Sequence, residues 1–60
     1  MPSDETRRLL RAFGVVVTNL EDAIDAKAPL DEIMKWDREV ADRTREIIDH
    51  VERLRSRRIQ

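Results

Sequence analysis

Apolar residues recur along this chain at intervals of three and four, in two long runs. The first comprises Leu9, Leu10, Phe13, Val16, Val17, Leu20, Ala23 and Ile24. The second comprises Leu30, Ile33, Met34, Val40, Ala41, Ile47, Ile48, Val51 and Leu54. Such spacing gathers side chains on one face of an α-helix. Between the runs stands Pro29, the one internal proline. The residue before a proline avoids helical backbone, which points to a turn at Ala28. At 100° per residue the first apolar face centres near about 205° and the second near about 80°, roughly 120° out of register. A continuous rod would therefore present no single seam. The pattern predicts an all-α fold, a two-helix antiparallel hairpin with helix 1 over about 4–27, a turn at about 28–29 and helix 2 over about 30–57.

Local signals agree with those boundaries. Ser3 is a good N-cap, and Asp4 and Glu5 follow in the first turn, where the helix dipole favours acid. Thr6 stands where a capping box would place Glu or Gln. Pro29 suits a first helical position, because its missing N–H costs nothing there. Asp31 and Glu32 follow it, and Arg53, Arg55, Arg57 and Arg58 close the last turns, where cations suit the dipole. The stretch Gly14-Val15-Val16-Val17-Thr18 is β-prone, and Gly14 costs about 1 kcal/mol in a helix interior relative to Ala. Helix is still expected, because the period on both sides is helical and no second strand exists to pair with it.

Each arm of about 25 residues would be about 37 Å long, with an apolar stripe about 140° wide. That is broader than one partner helix covers. A chain of 60 residues buries only about 60% of its unfolded surface, so extra support is expected. The sequence has no cysteine and one histidine, so a disulfide is excluded and a typical zinc site is not supplied. The expectation is dimerisation of the hairpin into a four-helix bundle. Its core would be Leu9, Phe13, Val16, Leu20, Ile24, Ile33, Val40, Ile47, Val51 and Leu54. Asp37 and Thr44 lie within the second stripe, where a polar residue can fix register or oligomer state.

The net charge is −1, so no global attraction to nucleic acid or to an anionic membrane is implied. Folding at Pro29 nevertheless sorts the charges. The open-end half, residues 1–14 and 44–60, carries eight basic and five acidic side chains, net +3; the turn half, 15–43, carries four basic and eight acidic, net −4. Two hairpins with turns at opposite ends would set basic pole on acidic pole, which favours an antiparallel dimer. Exposed pairs are worth only about 0–1 kcal/mol each, so charge selects orientation and apolar burial supplies affinity.

Candidate chemistry is sparse. Asp42, Glu46 and His50 form an i, i+4, i+8 stripe expected to point away from the apolar face as a solvated ion-pair surface. The Glu-x-x-His pattern of ferritin-like di-iron sites is absent. With one histidine and no cysteine no catalytic triad can be assembled, and no glycine-rich phosphate loop exists. No cofactor or metal is expected. No apolar stretch approaches the roughly 20 residues of a membrane span, the first residues do not read as a signal peptide, and a cytoplasmic location is expected. Trp36, at the edge of the second stripe, is the candidate anchor for a partner. Arg7, Arg8, Arg11, Arg53, Arg55, Arg57 and Arg58 form a basic cluster at the open end, a second candidate contact surface.

The expected architecture resembles that of the small RNA-binding repressor-of-primer proteins of plasmids, helical hairpins that form antiparallel four-helix dimers, with no motif in common. The segment Glu32–Val40 is similar to the second helix of sporulation-type aspartyl-phosphate phosphatases, whose signature is Ser-Gln-Glu-Leu-Asp. The corresponding residues are Asp37, Arg38, Glu39, Val40 and Ala41, so the glutamate is retained and the final aspartate is not. The function expected first is a small non-enzymatic regulatory or adaptor protein that binds its own copy and then a larger protein. A nucleic-acid-binding dimer using the basic end is the alternative. The local resemblance implies a third, a phosphatase-like hairpin acting on a response regulator.

Overall fold

A computed structural model describes residues 3–59, and the side chains of residues 3–57. Two helices, α1 (Asp4–Asp25) and α2 (Leu30–Ile59), pack against each other as an antiparallel hairpin. The molecule is a slab of 48 × 18 × 12 Å, one helix thick. α1 starts as its sequence dictates: the Ser3 hydroxyl accepts from the Thr6 N–H at 3.1 Å, satisfying a backbone donor that has no partner inside the helix. Thr6 replaces the usual capping-box acid in its own way, accepting a 3.0 Å bond from the Ser3 hydroxyl.

The turn is longer than the sequence predicts. α1 ends at Asp25 rather than at about 27, and residues 26–29 make the reversal. The reason lies in the hydrogen bonds. The Lys27 N–H donates to the Ile24 carbonyl and the Ala28 N–H donates to the Ala23 carbonyl, the paired closure of a Schellman motif. This motif needs a left-handed residue after the cap, and Lys27 provides it with φ 56°. Glycine usually fills this position; a side chain there costs about 1–2 kcal/mol. Pro29 sits one residue before the first helical position. Its carbonyl receives the Glu32 and Ile33 N–H groups, and Asp31 Oδ1 accepts from the Glu32 N–H. α2 then runs through Ile59, past the expected end near 57.

Between the helices the core is thin. Val16 and Ala23 are the buried apolar side chains of the described residues, and Leu9, Phe13, Leu20, Ile33, Val40, Ile47 and Leu54 are half-buried along the same seam. Ile24 and Val51, expected in the bundle core, lie exposed at 53% and 37% within the hairpin. The larger departure concerns His50. It does not belong to a solvated stripe with Asp42 and Glu46; it is buried, 7% exposed, between the helices near the open end. Seam positions on α2 recur as Ile33, Trp36, Val40, Arg43, Ile47, His50 and Leu54, alternating steps of three and four. His50 simply continues that line.

Candidate interaction surface

The apolar residues of each helix divide into two lines. On α1, Leu9, Val16 and Ala23 turn toward α2, while Leu10, Val17 and Ile24 are exposed. On α2, Ile33, Val40 and Ile47 turn toward α1, while Leu30, Met34, Ile48 and Val51 are exposed. Viewed from its own N-terminus, the exposed line of α1 lies roughly a quarter turn clockwise of the seam, and that of α2 roughly a third of a turn clockwise. Because the helices are antiparallel, equal rotational senses bring both lines to the same broad side of the slab. The result is one continuous apolar face spanning both helices, with Ala41 exposed near its centre. Asp37 is exposed within this face, and Thr44 is half-buried at its inner border, donating to the Val40 carbonyl at 2.8 Å.

The opposite broad side is charged. It carries Arg8, Val15 and Asp22 from α1 and Lys35, Asp42, Glu46 and Arg53 from α2. Arg43 pairs with Glu46 one turn along α2. At the open end a polar cluster ties the helices together. Thr6 Oγ1 lies 2.8 Å from His50 Nε2, and Arg53 donates to Glu5 at 3.3 Å. His50 Nδ1 is 2.9 Å from the same Glu5 oxygen, at ion-pair distance but out of line for a hydrogen bond. A carboxylate only accepts, so a neutral imidazole in this setting carries its proton on Nδ1 and accepts the Thr6 hydroxyl at Nε2. The bonded Arg53 guanidinium holds the Glu5 carboxyl below its usual range.

The residues singled out for partner contact are scattered over these surfaces. Trp36 is half-buried on the inner seam, with the Lys35 ammonium 4.9 Å from its ring centroid, a distance at which the ring face attracts the cation. Arg7, Arg8 and Arg11 are exposed on α1, and Arg7 and Arg8 line a cleft with Asp4 and Arg11. Arg53 and Arg57 border a second cleft beside His50 and Leu54. Arg55 is exposed, and the Arg58 side chain lies outside the described residues. Arg8 and Arg53 also line one cleft with Glu5, Glu46 and Asp49, so the cleft-lining arginines of the open end are spread over three neighbouring clefts rather than gathered in one. Among the described residues no group of three or more His, Cys, Asp or Glu is placed to hold a metal ion. No helix of the described residues is long and apolar enough to cross a membrane.

What sequence reasoning missed is the division of each stripe into two lines. The signal is present in the numbering: Leu10, Val17 and Ile24 are seven apart, as are Met34, Ala41 and Ile48. Two adjacent heptad lines give each helix two apolar strips, one toward the other helix of the hairpin and one exposed. Comparison with family models, with curated proteins and with solved structures returns no match.

Proposed function

We propose that this chain is a small, non-enzymatic, cytoplasmic regulatory or adaptor protein acting through helix-mediated protein–protein interaction. Its apolar face takes up a second copy to make an antiparallel four-helix bundle. The charged face and the arginine-bearing open end are then left to meet a larger protein.

The observation that carries this reading is the apolar face itself. Eight large hydrophobic side chains, Leu10, Val15, Val17, Ile24, Leu30, Met34, Ile48 and Val51, are 37–71% exposed. Seven of them share one side; Val15 alone is on the other. The accessible surface is 5155 Å², whereas a compact monomer of 7.1 kDa exposes about 4,100 Å². The excess of roughly 1,000 Å² is close to the about 800 Å² that each partner buries in a standard protein interface. Large contiguous apolar patches are rare on monomeric proteins and mark interaction sites.

Charge supports the orientation. With turns at the same end, the two acidic closed ends and the two basic open ends would each abut their like. With turns at opposite ends each meets its complement. The basic end serves a protein partner better than nucleic acid, because Arg53 is already engaged by Glu5 and Phe13 is turned into the hairpin seam, leaving no aromatic platform for bases.

Light scattering or sedimentation at micromolar concentration tests the first step. The expected mass is twice that of the chain, and a stably folded monomer would refute self-association. Pull-down of the intact dimer from its native cell tests the second; recovery of the protein alone removes the adaptor reading. Tight binding to RNA or DNA that falls steeply with salt would favour the nucleic-acid alternative instead.

A further inference from the structure

The exposed line of α2 reads nearly the same in both directions. Measured from Ala41, Met34 and Ile48 lie seven residues before and after, and Leu30 and Val51 lie eleven before and ten after. A helix packed against an antiparallel copy of itself needs this property, because each position meets its mirror in number. Alanine, the smallest side chain of the line, stands at the midpoint, where the helices would approach most closely.

α1 gives an independent reading. Leu10 and Val17 of its exposed line, with Leu20 and Phe13 half-buried at the border between that face and the seam, flank position 15 at five residues (Leu10, Leu20) and at two (Phe13, Val17). Nothing in the sequence requires the midpoints of the two helices to coincide in height, but the hairpin places them together. Opposed residues across the seam have numbers that add to about 56, as Thr6 and His50 do. Positions 15 and 41 add to the same value, so both midpoints lie at one level of the slab. Gly14 is one residue away, and a Cβ there would meet nothing within 4 Å.

Building on the self-association above, we propose that the occupant of the apolar face is a second copy related by a two-fold axis at the level of Ala41. α2 packs on α2 and α1 on α1, each antiparallel. In this register Met34 meets Ile48 of the second copy, Leu10 meets Leu20, and Phe13 meets Val17. Asp37 faces position 45 of the second copy, which is Arg45. Neither makes an ion pair within its own chain among the described residues, so the dimer supplies each with its counter-charge. Arg55 comes to within about one helical turn of Asp31 of the second copy. Asp37 thus acts as a register mark: an acid in an apolar line is tolerated only where a cation from the other chain reaches it.

Disulfide trapping separates the outcomes. Ala41→Cys, oxidised at micromolar concentration, is expected to form a covalent dimer, because only residues on the axis face themselves at the 4.4–6.8 Å Cα spacing a disulfide needs. Met34→Cys and Ile48→Cys are each expected to stay uncrosslinked alone and to crosslink when mixed. If light scattering shows a dimer but Ala41→Cys does not trap, the register is wrong while self-association stands. If Ala41→Cys traps only with Val17→Cys, the turns lie at the same end and the proposed axis is refuted. If the protein is a monomer, both this inference and the reading beneath it fail. Asp37→Arg is expected to lower dimer affinity at least about tenfold by opposing Arg45, and Asp37→Arg with Arg45→Asp to restore it; a double variant no better than the single one overturns the pairing.

Discussion

Val15 and Val17 are two residues apart on α1, both exposed at 54% and 38%, yet they belong to different surfaces. Val17 lies on the broad side that holds Leu10, Ile24, Met34 and Ile48; Val15 lies on the side that holds Arg8, Lys35 and Glu46. The exposure of an apolar residue therefore says little by itself. An isolated exposed valine needs no explanation, whereas one in a continuous apolar field implies an occupant. The inner seam sharpens the contrast. It buries a histidine and half-buries Arg43, while large aliphatic side chains remain outside.

The contrast between the faces breaks most readily under matched substitutions. Val17→Lys places a charge in the apolar face and is expected to cost self-association about 2–4 kcal/mol, read as a drop in mass by sedimentation. Val15→Lys, the same chemical change on the charged face, is expected to fall within about 0.5 kcal/mol. Equal effects from the two would dissolve the distinction. Next in size is the seam. His50→Ala opens a gap and removes the acceptor of the Thr6 hydroxyl proton, with an expected loss of about 1–3 kcal/mol in chemical denaturation. Lys27→Gly works in the opposite direction: it relieves the left-handed lysine and is expected to stabilise by about 1 kcal/mol, raising the melting temperature without changing the assembled mass.

The smallest effect concerns Glu5. Its folded carboxyl is held below the usual value chiefly by the bonded Arg53. A depressed carboxyl pKa stabilises the fold above the unfolded value near 4.5, and that contribution disappears as pH falls through the folded value. Glu5→Gln is expected to flatten the acid limb of a stability–pH profile below about pH 4.5, leaving the rest of its shape unchanged. An acid limb as steep in the variant as in the parent would assign it to other carboxylates.

The hairpin itself was legible in the sequence. Pro29, the phase break across it and the Ser3 cap all act locally, and local signals survive in a single chain. The turn was read two residues short because the Schellman closure depends on a left-handed Lys27, a residue type that does not advertise the conformation. His50 was misplaced for a different reason. Averaging all apolar residues of α2 gives a direction between its inner and outer lines, and His50 lies far from that average while lying on the inner line itself. The surface chemistry was only partly legible. The polarity of the two ends follows from counting charges, but the separation of Trp36 from the arginines is a matter of which way each side chain turns around the helix.

Consider finally the polar cluster that closes the open end. Contacts in this hairpin grow steadily more distant in sequence from turn to termini, reaching 44 residues for Thr6 with His50 and 48 for Glu5 with Arg53. Each such contact closes a longer loop than the one before it, so the cheapest route is to zip from Pro29 outward. The cluster then forms last and opens first. Amide exchange should run as a gradient, slow around Val16 and Ala23 and fast around Thr6, with the histidine acting as the clasp that decides how far the fraying travels.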